Sequence, residues 1–324
     1  MSEISIILPV YNGIQFLEQS VLSVLGQDDN KFEFLIIDDC STDNSWEYLS
    51  SIKDERVKIF KNEVNKGLFF NLNFLINKST SPLIKLWGQD DIMYNNCIKE
   101  IIEFHSQNPQ IGFSYTACNY MIENNNEAVS ADKIDATPSI ISSELHARIA
   151  FLTGSISSNI SNVTLSKRAL DKVGLFNENM KMSGDFDMWV RIAEHYPVGF
   201  LNKKLIQVRK HSQQLSRQER YYVIVLKEGI QIYNYLLSYV NKNLKKEGRN
   251  LLRNYSLLFY YTLMVKAFLK GHFKIGYIFF KTLNYFDNIW VLSFYFLRNR
   301  ILFPKKYWQF YFDNTQFFKS VKNY

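Results

Sequence analysis

Cysteine is scarce in this 324-residue chain, which holds only Cys40, Cys97 and Cys118, an odd number without paired or clustered spacing. That excludes a disulfide framework and a cysteine-based zinc site, and a reducing compartment is the simpler setting. The opening MSEISIILPVYNG lacks the features of a signal peptide: it carries an acid where a leader would be positive, and Pro9 and Asn12 interrupt its apolar run. It reads as the first β-strand of a cytosolic domain. No apolar stretch suits a bilayer span, which needs ~20 residues, because 251–269 is interrupted by Arg253 and Lys266 and 289–297 is too short. Internal repeats and low-complexity tracts are missing as well.

What is present is apolar mass and uneven charge. A content of 47% hydrophobic and 16% aromatic residues is enough for one large core, or a core plus an appended module, and excludes disorder for the bulk of the chain. Residues 1–216 carry 20 Lys and Arg against 26 Asp and Glu, whereas 217–324 carry 18 against 5. The boundary is therefore expected near 217, with an acidic domain over 1–216 and a basic, aromatic-rich helical region over 217–324 whose partner is anionic.

Apolar runs at 5–10 and 32–37 read as buried parallel strands, and the helical spacing of Phe16, Leu17, Val21, Leu22, Val24 and Leu25 between them completes a βαβ unit. The alternation continues with a helix over 45–52, a strand over 57–60, a helix over 68–77 and a strand over 83–87. Strands at 111–115 and 162–165 and helices at 142–152, 167–173 and 186–193 follow. The pattern predicts an α/β fold built on a doubly wound, mostly parallel sheet flanked by helices. Two of its strands end in acids, Asp38–Asp39 and Asp90–Asp91, where open α/β sheets bind their ligands.

Each candidate residue carries a plain structural reading beside the chemical one. Asp38, Asp39 and Asp43 suit hydrogen bonds to a base or ribose, yet Asp43 also suits a helix cap and Asp38 a solvated loop. The hard oxygens of Asp90 and Asp91 suit Mg²⁺ or Mn²⁺ held together with a diphosphate, but adjacent acids also suit an ordinary turn. Asp185 lies at a helix start and suits a general base or a cap; Asp187 competes with it, or pairs with Arg191 one turn on. Lys66–Gly67 suits a phosphate or a helix-entry turn, and His211 with Arg209 a metal or a diphosphate.

Taken together, the ordered blocks SIILPVYNG, FEFLIIDDCSTDNS, NKGL, KLWGQDD, the long segment from SNVTLSKRAL to GDFDMWVRIA, and RKHSQQLS resemble family 2 glycosyltransferases of the GT-A fold. The likeness covers 3–216. It implies a nucleotide pocket lined by Pro9, Tyr11, Asn12, Asp38 and Asp39, with Lys66, Gly67 and Asp90 also on the donor, and a divalent metal, Mn²⁺ or Mg²⁺, held by Asp90, Asp91 and His211. Asp185 matches the catalytic base of an inverting, single-displacement transfer from a nucleotide sugar, a UDP-sugar for choice, to a glycan or polyprenyl-linked acceptor in cell-surface polysaccharide synthesis. The chain departs from the family twice: Gly88 stands where many relatives have an Asp, and Gly184 where a Glu often precedes the base.

In the tail, a helix is expected from Tyr221, a Lys-rich turn at 242–249, and then a second hairpin. Lysines and aromatics interleave in FKIGYIFFKTLNYF and FYFLRNRILFPKKYW, which suits helices lying on an anionic membrane surface, at the inner face of the cell membrane. The other reading of the tail is a helical core with a solvated basic face. Two other function classes are weighed. A non-catalytic protein binding nucleic acid or an anionic surface is weakened by the acidic first domain, and nucleic acid is not expected as a partner. A nucleotidyltransferase is weakened by the single glycine after the first strand.

Overall fold

The computed structural model describes residues 2–122, 125–129, 137–157, 159–210 and 219–305. These form two compact units, one from the residues up to 129 with 138–142 and 157–210, the other from Thr137 and 143–156 with 219–305. The second unit thus draws its first helix from within the span expected for the acidic domain, 1–216.

The first unit is built on a sheet with ten strands among the described residues: β1 (Ile4–Val10), β2 (Phe32–Asp38), β3 (Val57–Lys61), β4 (Leu83–Leu86), β5 (Ile92–Met93), β6 (Phe113–Ile122), β7 (Asn125–Val129), β8 (Ile140–Ile141), β9 (Val163–Ser166) and β10 (Val198–Lys210). Their order is β3-β2-β1-β4-β9-β6-β10-β5, with β7 on β6 and β8 on β10. Strands β3, β2, β1 and β4 are parallel, as the sequence predicts. Beyond them the sheet is mixed, because β9 runs antiparallel to both β4 and β6, while β6 and β10 are parallel to each other. β1 and β2 are covered on both faces, which is why their sequences read as continuous apolar runs. The order changes direction between β1 and β4, and the crevice beyond their carboxyl ends is where a sheet of this kind opens for a ligand.

Helices α1 (Ile14–Leu25), α2 (Ser45–Ser51), α3 (Leu68–Lys78), α4 (Cys97–Gln107), α6 (Lys167–Val173) and α7 (Gly184–His195) flank this sheet, α5 belonging to the other unit. The apolar stripe of α1 buries Leu17, Val21 and Val24 under β1 and β2.

The second unit comprises α5 (Ser143–Thr153), α8 (Tyr222–Tyr239), α9 (Lys242–Asn254), α10 (Ser256–Leu269), α11 (Phe273–Phe286), α12 (Ile289–Phe296) and a π-helical turn over Leu297–Leu302. The Lys-rich turn expected at 242–249 is instead the start of α9. The Asn241 side chain caps it by accepting from the Leu244 N–H at 2.9 Å, and Leu244, Gly248, Leu251 and Leu252 form a buried stripe at helical spacing. Gly248 leaves room for the Phe151 ring of α5, which an added Cβ would meet at 2.5 Å. Arg148 of α5 grips Glu247 with two bonds of 2.8 and 3.1 Å. No helix among the described residues is long and apolar enough to cross a membrane.

Candidate active site at the strand ends

Three loops leave the carboxyl ends of β1, β2 and β4 and are stitched to one another. The Asp39 N–H donates to the Val10 carbonyl at 2.7 Å, the Asn12 N–H to Ser41 Oγ at 3.0 Å, and the Thr42 N–H to Asn12 Oδ1 at 2.7 Å. The Gly13 N–H donates to Ser45 Oγ at 2.9 Å. Asn12 adopts a positive φ of 48° and Cys40 one of 62°, the turns that let both loops double back. Across the switch point, the Tyr11 N–H donates to Gln89 Oε1 at 2.9 Å, and Gln89 Nε2 returns a bond to the Tyr11 carbonyl at 3.2 Å. Pro9 sits beyond Ile7, the last β1 residue paired with β4, so its missing N–H leaves no gap in that ladder.

At the end of β2, Asp38 is fully buried, which overturns its reading as a solvated loop residue. One of its oxygens accepts from the Ser41 N–H at 3.0 Å; the other, Oδ2, is buried without a hydrogen-bond partner among the described residues. Such an orphaned acceptor is costly unless a ligand supplies a donor. Asp39, by contrast, is saturated. Its Oδ1 accepts from Asn62 Nδ2 at 2.8 Å and the Lys66 N–H at 2.7 Å, and its Oδ2 from the Gly67 N–H at 2.9 Å. Asp39 therefore ties down the Lys66–Gly67 turn, where Gly67 has a φ of 87°. Lys66 directs its ammonium over the Phe70 ring, 5.8 Å from the centroid. Asp43 fastens two helix starts, accepting from Ile14 N at 3.1 Å and Ser45 N at 3.0 Å. Burial opposes ionisation there, but these hydrogen bonds outweigh it and hold the carboxyl below its usual range.

After β4, Asp91 is buried and fully engaged. Its Oδ2 accepts from Ser161 Oγ and, at 3.4 Å, from Asn159 Nδ2; its Oδ1 accepts from the Arg209 N–H at 3.0 Å. Burial, reinforced by the Asp90 charge, pushes its carboxyl up to about 7 against the pull of those three donors. Asp90 is half-buried at the rim, with its carbonyl accepting from Arg209 Nε at 3.0 Å. The Arg209 guanidinium also reaches Gln19 at 2.7 Å and lies 4.4 Å over the Phe16 ring, so it clamps this turn to α1. His211 lies outside the described residues.

Residues outside the sequence motifs hold this turn in place. Lys85, fully buried in β4, donates to the Ser161 carbonyl, and burial draws its ammonium down to about 8 despite the opposing pull of Cys97 and Asp91. Ser161 thus joins a buried lysine to a buried aspartate. Both departures from the family pattern gain a reason. A Cβ on Gly88 would stand 2.8 Å from Ser161 Oγ and 3.1 Å from Asp91 Oδ2, so the serine fills the place of the missing acid. A Cβ on Gly184 would meet the Phe69 ring at 2.8 Å, which leaves no room for Glu there.

That contact also sets the start of α7 against the first turn of α3. Phe69 lies in the first turn of α3, directly after the turn that Asp39 holds, and it stacks on Phe176 at 5.7 Å between centroids. Gly184 packs on Phe69, and Asp185 follows it in the first turn of α7. Asp187 is committed elsewhere: its Oδ2 accepts from Arg191 Nε at 2.8 Å, and the same guanidinium donates to the Val173 and Leu175 carbonyls, both at 2.9 Å.

Among the described residues no three His, Cys, Asp or Glu side chains converge as a metal cage. Mg²⁺ is usually held by one or two carboxylates with phosphate oxygens and water completing the shell; Asp90 fits such an ion, whereas both oxygens of Asp91 already accept from Ser161, Asn159 and the Arg209 N–H.

The model of "Glycosyl transferase family 2" matches residues 5–160. An uncharacterized glycosyltransferase of Rickettsia felis is 31% identical over 217 residues, 64% of this chain and 33% of its own length. The Escherichia coli UDP-Glc:alpha-D-GlcNAc-diphosphoundecaprenol beta-1,3-glucosyltransferase WfgD is 34% identical over 126 residues, 39% of this chain and 49% of its own. The chain thus spans about a third of the Rickettsia relative and half of WfgD. Among solved structures, Staphylococcus aureus TarS 1–349 in complex with UDP-GlcNAc superposes with a TM-score of 0.61 at 16% identity, over 78% of this chain and 70% of that one. At that identity the likeness establishes the fold, a GT-A sheet with flanking helices. Residues 5–160, just under half of this chain, thus carry a glycosyl transferase family 2 domain.

Proposed function

We propose that the chain transfers a sugar from a nucleotide-sugar donor, a UDP-sugar, to a hydroxyl of a lipid-linked glycan, in building a cell-surface polysaccharide. The observation that carries this reading is the buried, half-satisfied carboxylate of Asp38 at a β-sheet switch point, next to loops locked together by Asn12, Ser41, Gln89 and Tyr11. A nucleoside offers the N–H and O–H donors that Asp38 Oδ2 lacks. TarS in complex with UDP-GlcNAc supports the donor class, and the named donor and diphosphoundecaprenol acceptor of WfgD support a UDP-sugar and a lipid carrier. A lipid-linked acceptor sets the reaction at a membrane surface.

In this reading Pro9, Tyr11, Asn12 and Asp38 line the nucleoside side, while Asp39 acts by shaping the Lys66–Gly67 turn beside it. Asp90 faces the diphosphate, and Asp91 supports it from behind through Ser161 and Arg209. A bound Mn²⁺ or Mg²⁺ would neutralise charge on the leaving diphosphate, with Asp90 as the residue that would hold it and Asp91 fixing the turn behind. Asp185 accepts the proton of the acceptor hydroxyl as its oxygen bonds to the anomeric carbon; the bond from that carbon to the diphosphate breaks, and its electron pair leaves on the nucleotide. A single displacement of this kind inverts the anomeric centre and needs one base.

The test is release of free nucleoside diphosphate from UDP-, GDP-, CDP- and dTDP-sugars with Mn²⁺ or Mg²⁺. Turnover of one donor, lost with chelator, is expected. Asp185→Asn should lower kcat by about 10²–10⁴ while leaving donor affinity unchanged. Failure to bind or turn over any donor would sink the reading; loss of donor affinity in Asp185→Asn would move that residue out of the base role.

A further inference from the structure

The second unit leaves a row of large apolar side chains facing water. In α12 and the π-helical turn after it, Trp290, Phe294, Leu297 and Ile301 are 79%, 60%, 50% and 58% exposed, and their spacing of four, three and four residues puts them on one helical stripe. The opposite face of α12 is the packed one: Ile289 and Leu292 are buried, Ser293 hydrogen-bonds Tyr261 of α10 at 2.8 Å, and the Phe296 and Tyr261 rings lie 5.1 Å apart. The outward stripe is therefore not an inner face turned the wrong way.

Its neighbour α11 repeats the arrangement with charge added. Gly276, Phe279 and Leu283 face inward, Gly276 against the Phe268 ring of α10. Lys274, Lys281 and Tyr285 line the outward face at helical spacing, flanked by Phe273 and Tyr277. Over residues 266–305 there are seven Lys and Arg and a single acid, Asp287. Asp287 is taken by Arg253, which donates to it at 2.6 and 2.8 Å.

We infer that the outer faces of α11, α12 and the following turn dock on an anionic lipid surface, with the helices lying in the interface. Aromatic and aliphatic side chains framed by cations are the composition that partitions there: the rings enter the headgroup region while Lys and Arg meet the phosphates. Charge decides against the other simple occupant. A second copy docked symmetrically would set this cationic region against its own like, with no unclaimed acid between residues 266 and 305 to offset it. The inference does not rest on the transferase assignment, since it uses residues of the second unit only.

The experiment is co-sedimentation of the full chain with vesicles of mixed phosphatidylglycerol and phosphatidylcholine, against phosphatidylcholine alone. Binding to the anionic vesicles that weakens as salt rises is expected. Trp290→Asp with Phe294→Asp should weaken it by about tenfold or more. Lys274→Glu with Lys281→Glu should weaken it by about fivefold per charge removed. These positions are exposed, so an unchanged melting temperature should accompany both pairs. Absence of binding by the wild type, or equal binding by all three proteins, overturns the proposal. So does a wild-type dimer in sedimentation velocity that Trp290→Asp with Phe294→Asp turns into monomer, because the face would then be covered by a second copy.

Discussion

The two acidic pairs at the strand ends look alike in sequence and are used in opposite ways by the fold. In each pair the second member is structural: Asp39 accepts three hydrogen bonds that close the Lys66–Gly67 turn, and Asp91 accepts three that knit β4 to Ser161 and β10. In the proposed reading the first member is the one that meets the ligand. Asp38 keeps an unsatisfied buried oxygen, and Asp90 stands half-exposed at the rim. The comparison teaches that the two residues of a DD motif at a strand end divide their labour, the second turning back into the protein to close the turns around its neighbour.

The largest test of this division is on the second pair. Asp90→Asn should cut kcat/KM for donor hydrolysis by about 10²–10³, the scale of losing one group that stabilises transition-state charge, with an unchanged melting temperature. Asp91→Ala should lower both, because it strands the Ser161 hydroxyl and the Arg209 N–H in a dry site. An Asp91→Ala protein as stable as wild type would end the structural reading of that residue. For the first pair, Asp39→Ala is expected to destabilise by about 2–4 kcal/mol, read by urea titration, since hydrogen bonds to a charged acceptor are worth more than neutral ones. Asp38→Asn should leave stability nearly intact and weaken nucleotide binding in calorimetry.

A smaller effect concerns the glycine before the second pair. Gly88→Asp would restore the acid common in relatives, yet its Cβ would come within 2.8 Å of Ser161 Oγ, so a loss of about 1–3 kcal/mol is expected from overpacking. Adding Ser161→Ala should return part of that loss. Additive effects of the two changes would mean that the serine does not occupy the place of the missing carboxylate.

Periodicity made the parallel half of the sheet legible: the runs ending at Val10, Asp38 and Leu86, and the helices between them, need only local apolar spacing. β10 was not legible, because the polar NKK in its middle breaks the alternation; the strand tolerates it through register shifts between Leu201 and Ile206. The lysines of 242–249 suggested a turn where the buried stripe of Leu244, Gly248 and Leu251 makes a helix with a solvated basic face. At the site, the acids announced themselves by type and place, but which of each pair faces inward did not. That depends on Ser161, Asn159 and Arg209, which lie about 70 and 118 residues further along the chain from Asp91 and are brought to it by strand pairing. No motif near the acids carries that information.

The smallest expected effect contrasts Asp91 with another carboxylate of the same sheet that is driven the other way. Glu33 in β2 is largely buried beside Ser5, its partner in the β1–β2 register. It accepts from Ser5 Oγ at 2.7 Å, from the Thr80 N–H at 2.7 Å and hydroxyl at 2.8 Å, and from Lys58 at 3.1 Å. Burial alone would raise its carboxyl, but these donors outweigh burial and hold it down at about 2. Because the folded value lies below the unfolded value of about 4.3, Glu33 adds stability above that pH and loses it as pH falls towards 2. Asp91 has no comparable surplus of donors over burial, and its shift is upward. Glu33→Gln should therefore shallow the fall of melting temperature between about pH 4.5 and 2.5, at the expense of stability at neutral pH, where Lys58 loses its partner. Parallel acid limbs in the two proteins would show that the Ser5, Thr80 and Lys58 bonds do not favour the charged form, and that the contrast between the two carboxylates is not set by their donors.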